Sequence, residues 1–360
     1  MNKSDSVGPV TIYQIAAESG VSVSTVSRVL NNSPRVSPKT LERVNAIIDK
    51  YSFKPSPLAR AMINNRTETL GVIMPDITSP YFSSLFLEIE RHALEHKYSI
   101  ILCNTLFGGS SHGVATPFGE MKYFQMMMDK KVDGVIITGG EVDKESISRE
   151  YVDALNRLNN NLPVIVIGQD IENCNCLFIN RNLGGGVSSL IQHLAALNHH
   201  RIGFIGGEPG VKTTTARLTA YRNTLKSLSL PYDPSIVALS DYYFKDGYSA
   251  MKQVLDQAKS RPTAVVAIND MVAIGAIRVI NDYGLHVPED IAIVSCDQFF
   301  ESEYLSPRLT TLDQQNDYLG KLAIMMLLCA INGMGEPVHI DHNPRLIIRE
   351  SCGSQLSGRK

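Results

Sequence analysis

TIYQIAAESGVSVSTVSRVL, residues 11–30, reads as two short helices joined at Gly20. Thr11 followed three residues later by Gln14 predicts a capping-box start, and Ile12, Ile15 and Ala16 then share one face at helical spacing. Gly20 ends that helix. Ser22 caps a second one, in which Val26, Val29 and Leu30 point inward while Val23, Ser24, Thr25, Ser27 and Arg28 stay free on the outer side or leading end. Ser37 and Pro38 form the N-cap and first position of a third helix, whose Leu41, Val44, Ile47 and Ile48 close a three-helix miniature core. Such a helix-turn-helix presents its second helix to a DNA major groove. A glycine also separates the helices of many small bundles, so a second property has to decide.

Charge supplies it. Residues 1–66 hold nine Lys or Arg against four Asp or Glu, whereas the whole chain of 360 residues has a net charge of −2, so the remainder beyond residue 66 sums to −7. A basic head on an acidic body is the footprint of a protein that displaces counterions from phosphates at one end.

The length predicts two or three domains, and 44% hydrophobic residues suffice for a large core. No run approaches the roughly 18 apolar residues of a membrane span, and the first residues lack the apolar segment of a signal peptide. A cytoplasmic protein without a membrane partner is expected. The six cysteines are scattered with no Cys-x-x-Cys pair and no histidine at zinc spacing, which points to free thiols and no metal. Cys174 and Cys176 invite a redox reading, but two strand residues on one face explain the spacing as well.

Between head and body lies FKPSPLARAMINNR, residues 53–66. Leu58 to Met62 suffice for a turn or two of helix, far below the roughly 12–15 residues that hold a helix in water, so this segment orders only against a partner. A plain linker is the alternative, although the apolar and basic interleaving of Leu58, Ala59, Arg60 and Met62 is unlike a flexible spacer. The expected organisation is a helix-turn-helix domain over 1–53, a hinge over 54–68 and a bilobed ligand-binding and dimerisation domain over 69–360.

From residue 69 apolar strands alternate with amphipathic segments. The strands read are 70–75, 99–103, 134–138, 164–167, 201–205, 264–268 and 291–294. Most are separated by enough chain for one helix, which means parallel sheets covered on both faces. Roughly 290 residues exceed one core, so two doubly wound lobes are expected beside the small all-α head. In such sheets the ligand crevice lies beyond the carboxyl ends of the strands. The residues there are 76–82, Asn104, Gly139 and Gly140, Gln169 and Asp170, 206–217, Asn269 and Asp270, and Asp297 and Gln298. Of these, Arg217, Asn269 and Asp297 suit a polyhydroxylated ligand, since guanidinium, amide and carboxylate each grip adjacent hydroxyls; helix capping is their alternative role. The glycines at 184–186 and 203–207 lack phosphate-loop order, His199 and His200 fit a helix end better than a metal site, and no nucleophile elbow appears. An enzyme with a DNA-binding head and an exported solute receptor are the rival readings. The first lacks a catalytic motif and the second a leader.

The chain resembles the lactose and galactose repressor (LacI/GalR) family over nearly its full length. The segments that carry the resemblance are IYQIA (12–16), TVSRVLN (25–31), LGVIMPD (70–76), SPYF (79–82), VDGVI (132–136), HRIGF (200–204), NDMVAIG (269–275), VPEDIA (287–292), LTT (309–311) and IIRES (347–351). The resemblance implies a transcriptional regulator, most often a repressor, assembled as a homodimer or larger homo-oligomer on a palindromic double-stranded operator. It also implies a periplasmic-binding-protein-like core that senses a small molecule, usually a sugar or sugar phosphate, with a non-sugar metabolite as the alternative, and no cofactor. By position, Val23, Ser24 and Arg28 match base-reading residues, and Ser22, Thr25 and Ser27 match contacts to phosphates or flanking bases. Met62 matches a minor-groove wedge that is usually leucine, and Leu58, Ala59 and Arg60 belong to the same hinge. Tyr81, Phe82, Arg217, Tyr242, Asn269 and Asp297 match effector positions. Two departures stand out. Ser295 takes the place of a glycine, and residues 180–182, Asn-Arg-Asn, replace a frequent Asp-Asn pair. The loop 107–119 is longer than usual.

Overall fold

The computed structural model describes residues 10–30, 33–53, 66–105, 119–334 and 343–355. The chain divides into two compact units, Met1–Glu68 and Thr69–Lys360.

In the first unit, α1 (Ile12–Ser19), α2 (Val23–Leu30) and α3 (Pro38–Lys50) form the head. The Thr11 hydroxyl accepts the Gln14 N–H at 3.4 Å, but the Gln14 side chain donates forward to Glu18 at 3.4 Å, so only half of the capping box is made. Gly20, at φ 63°, ψ 37°, takes the left-handed conformation that ends α1, and the following Val21 N–H closes onto the Ala16 carbonyl at 3.1 Å. Ser37 accepts from the Thr40 N–H at 3.3 Å and starts α3 as expected. Ile15, Ala16, Val26, Val29 and Val44 are the buried centre. Val23 is half-buried against that centre, a correction to its reading as a free outer residue: its branched side chain completes a small apolar cluster. Glu18 ties the ends of α1 and α3 together, accepting from Lys50 at 3.0 Å and Tyr51 at 2.6 Å. The Tyr51 hydroxyl, then Lys50, hold its carboxyl below the ordinary range.

The second unit opens with β1 (Thr69–Met74), α4 (Pro80–Glu95), β2 (Ser99–Asn104), α5 (Met121–Lys130), β3 (Gly134–Thr138), α6 (Arg149–Asn161), β4 (Val164–Ile167) and β5 (Leu177–Ile179). These strands form one parallel sheet in the order β2-β1-β3-β4-β5. The chain then builds α7 (Leu183–Ala196), β6 (Ile202–Ile205), α8 (Lys212–Ser227), β7 (Val237–Ala238), α9 (Phe244–Gln257), β8 (Ala264–Ala267), α10 (Asp270–Asp282) and β9 (Ala292–Ser295). Here the parallel order is β7-β6-β8-β9. Strands such as VIVI and AVVA are buried at every position because helices cover both faces. After β10 (Thr311–Asp313) the chain returns to the first lobe through α11 (Asn316–Ile331), and β11 (Arg345–Ile347) then pairs antiparallel with β10. The buried Leu319, Ala323, Ile324 and Leu327 of α11 pack with Leu85, Ile89 and Ile136, so this Leu- and Met-rich helix is core.

The seven strands expected are present, two with the expected ends and the others with ends moved by one residue. β5, β7, β10 and β11 were not expected, being only two or three residues long and too short to show a period. Cys174 and Cys176 precede β5 in a turn rather than lying along a strand, which corrects their strand reading. They interact directly: their hydrogen bond holds the Cys174 thiol down at about 7 and raises that of Cys176. Two glycines bring α9 and α10 into backbone contact: a Cβ on Gly275 would fall on the Phe244 carbonyl, and one on Gly247 on the Val272 carbonyl. Among the described residues no helix is long and apolar enough to cross a membrane.

Candidate functional site

Two sites follow from these elements. In the head, Ser22 caps α2 by accepting the Thr25 N–H at 3.3 Å, and its hydroxyl also meets those of Ser24 at 2.8 Å and Thr25 at 2.9 Å. Ser22, Ser24 and Arg28 are exposed, and Thr25 and Ser27 partly so. Hydroxyls and peptide N–H groups thus cluster where the helix dipole favours an anion. Arg28 sits one turn on, with its side chain unpaired among the described residues. Leu58, Ala59, Arg60 and Met62 lie outside the described residues, as does nearly all of the loop 107–119.

In the core, the ends of β1, β3, β6, β7, β8 and β9 surround a cavity of about 430 Å³. Each sheet changes winding direction there, between β1 and β3 and between β6 and β8, which opens a crevice at the strand ends. Tyr81, Phe82, Arg217, Tyr242, Asn269 and Asp297 all line it. Their duties differ. Tyr81 and Phe82, in the first turn of α4, meet edge to face with centroids 5.1 Å apart. Arg217 reaches across from α8 and clamps Asp297 through two bonds of 2.6 and 3.2 Å, also donating to the Ile268 carbonyl at 2.6 Å. Burial is the largest single influence on the arginine and lowers it, but the Asp297 charge and hydrogen bond together with Cys296 and Tyr242 outweigh it and raise the group further. Asn269 accepts the Val272 N–H at 2.9 Å as the cap of α10 and donates to the Tyr242 carbonyl at 2.9 Å, so the capping role holds for it and its amide is spent on the scaffold. Tyr242 shares a 2.7 Å hydrogen bond with Thr214, and burial pushes its phenol up to about 12.

The lobes touch around the cavity. Tyr243 donates to Asp76 at 2.7 Å, the Glu145 N–H to the Gly210 carbonyl at 2.9 Å, and Lys212 to the Val142 carbonyl at 3.2 Å. Behind the wall, Asp270 accepts from Ser302 and from Thr311, the latter at 3.0 Å, and burial pushes its carboxyl to about 7.

Among the lining residues outside the sequence-based expectation, Asp143 and Arg181 carry charge into the half-buried wall. Asp143 ends the 3-10 turn Gly140–Asp143 just beyond β3, three residues past the glycine pair at the strand end. Arg181 follows β5, a strand of three residues too short to show a period, and lies in the Asn-Arg-Asn segment 180–182 that departs from the family pattern. Among the described residues no group of three or more His, Cys, Asp or Glu can hold a metal ion.

Comparison with known proteins gives this geometry its context. Residues 11–56 match the family described as bacterial regulatory proteins, lacI family, and residues 191–352 match the periplasmic binding protein-like domain. The chain is 32% identical over 350 residues to the HTH-type transcriptional repressor PurR of Haemophilus influenzae, covering 96% of this chain and 99% of that protein. The lac repressor dimer bound to operator and the anti-inducer ONPF superposes with a TM-score of 0.81 at 24% identity, over 96% of this chain and 99% of the other. A LacI family transcriptional regulator from Enterococcus faecium with bound ribose gives 0.67 at 28% identity, over 79% of this chain and 98% of the other. The helix-turn-helix head, the two doubly wound lobes and the near-complete coverage of a repressor agree: the chain belongs to the LacI family of bacterial regulatory proteins.

Proposed function

We propose that the protein is a cytoplasmic repressor that binds a palindromic operator as a homodimer or larger assembly, and that a small metabolite, a sugar or sugar phosphate, sets its affinity for that operator without being turned over. The observation that carries this reading is the co-occurrence of a basic head, with Ser22, Ser24 and Arg28 exposed on or beside α2, and a ligand-sized cavity at the switch points of two parallel sheets. Residues 1–53 serve as the reading head and 54–68 as the hinge, where Leu58, Ala59, Arg60 and Met62 order on the minor groove. Residues 69–360 form the sensor.

Val23, Ser24 and Arg28 read base edges, and Ser22, Thr25 and Ser27 fix the head on the backbone. Tyr81, Phe82, Tyr242 and the Arg217–Asp297 pair shape the effector pocket. The relatives support this assignment: one solved neighbour is an operator complex and another holds ribose. The contacts between the lobes give the effector a lever, since a ligand that favours one lobe arrangement shifts its population by its difference in affinity, and a near-complete switch takes roughly 5 kcal/mol. Footprinting on the promoter DNA of the protein's own gene and its neighbours is the test. Protection of one palindrome, lost steeply as salt rises and altered by a metabolite, is the expected result; absence of any footprint refutes the proposal.

A further inference from the structure

Among the groups lining the cavity, most polar atoms are already satisfied. Arg217 and Asp297 neutralise each other, Asn269 caps α10, and Tyr242 is bonded to Thr214. Of the charged side chains with no salt bridge among the described residues, Glu145 and Glu208 are exposed to solvent, whereas Arg181 and Asp143 are half-buried and come from neighbouring parts of the first lobe. Arg181 stacks over the Tyr81 ring, its guanidinium carbon 5.0 Å from the centroid, and gives one terminal nitrogen to the Tyr81 hydroxyl at 2.6 Å. Its Nε is sealed from water with no partner, its other terminal nitrogen donates to nothing among the described residues, and it forms no ion pair there. Asp143 packs against Gly168 so closely that a Cβ there would lie 3.2 Å from its Oδ1, and it accepts no hydrogen bond among the described residues. Loss of solvent raises its carboxyl, and Arg181 is the foremost of the cations that oppose this. The two charges feel each other without pairing. They also line a small pocket that adjoins the cavity, together with Lys212 and Thr213.

We infer that Arg181 and Asp143 are the specificity pair of the cleft, and that they select a neutral polyol by bridging neighbouring hydroxyls, one accepting from Arg181 and one donating to Asp143. This rests on the reading of the cleft as an effector site. A hydroxyl both donates and accepts, so a vicinal diol satisfies both side chains at once. A phosphate dianion or a carboxylate only accepts. It would satisfy Arg181, leave Asp143 without a donor, and meet a wall on which Asp76, Asp143 and Asp241 outnumber Arg181, the one cation lining the cavity that has no carboxylate partner among the described residues. A flat base is disfavoured for another reason: the face of Tyr81 is taken by Arg181 and its neighbour Phe82 stands edge-on at 71°, so this pair offers no parallel slot.

The test is isothermal titration and thermal shift of the full-length protein with ribose, glucose, cellobiose and a wider set of neutral sugars and polyols, with ribose 5-phosphate and glucose 6-phosphate, and with guanine. Promoter footprinting of the same wild-type samples runs alongside. A neutral compound should bind, and its phosphate ester at least tenfold more weakly. Asp143→Ala and Arg181→Ala should each weaken the neutral ligand by tenfold or more, with Asp143→Asn and Arg181→Lys recovering part of the loss. Unliganded melting curves identify a variant that fails to fold, and the conservative variants then carry the comparison. Binding of the phosphates or guanine in preference, no binding by any neutral compound, or unchanged affinity in both alanine variants overturns the inference. A footprint that responds to a sugar phosphate would sink the specificity pair and leave the regulator standing, whereas loss of the footprint itself would count against the regulator.

Discussion

Arg28 in the head and Arg217 in the core carry the same guanidinium in opposite surroundings. Arg28 is exposed on a three-helix module with five buried apolar residues and pairs with nothing among the described residues. Arg217 is 2% exposed and spends both terminal nitrogens on Asp297 and on the carbonyls at the ends of β8 and β9. A small module cannot bury a charge, because it has too few partners to repay the loss of hydration, and so it offers its polar groups outward. A large core can hold a charge fixed inside, where it shapes a pocket. One region recognises by what it displays, the other by what it keeps pre-arranged.

The contrast is broken most sharply at its buried end. Arg217→Met strands the Asp297 carboxylate and should cost about 3–5 kcal/mol in urea unfolding of the core, while Arg217→Met with Asp297→Leu should recover most of it. Equal stability of the single and double variants would show that the pair is not coupled. In the head, Ile15→Ala opens a cavity in a centre with little to spare, at about 2–5 kcal/mol. Hydrogen exchange should show α1–α3 losing protection while the sheets keep theirs; equal loss in both units would mean that the head does not melt alone.

A third test uses Glu120, which is 6% exposed and accepts from Tyr151 and from the Glu141 N–H at 3.2 Å. Burial pushes its carboxyl from 4.5 to about 7 despite these bonds. Between those values the folded chain keeps a proton that the unfolded chain has released, so stability should fall as pH rises through that window, by about 3 kcal/mol, and level off above it. Glu120→Gln should flatten that fall in melts between pH 4.5 and 8, and an unchanged profile would assign the dependence elsewhere. The smallest effect belongs to the displayed residue: Arg28→Ala should cost roughly 1–3 kcal/mol of discrimination between operator and unrelated DNA, with overall folding unchanged. Equal selectivity in competition binding would remove Arg28 from the reading surface.

How much was legible in the sequence follows the same division. In the head, recognition and folding are local: the cap at Ser37, the turn at Gly20 and the period of Val26 and Val29 all sit within a few residues of what they determine. Only fine matters escaped, such as the lean of Val23 and the forward reach of Gln14. In the core, the long buried strands declare themselves by composition, and with their ends came five of the six named cavity residues; Tyr242, beyond the two-residue β7, came from the family resemblance alone. Arg181 and Asp143 came from neither, since one hangs on a three-residue strand with no period to detect and the other on a short turn past a glycine pair. Nor does any local pattern announce that α11 crosses back to cover the first lobe, because the contact joins residues more than 200 positions apart.

The glycine contact between α9 and α10 has a mechanical consequence. With carbonyls resting where side chains would stand, the two helices have no cushion between them and must travel together as a single beam. Asn269 is pinned to both, capping one and holding the Tyr242 carbonyl two residues ahead of the other. Any displacement of that asparagine would therefore be shared by both helices.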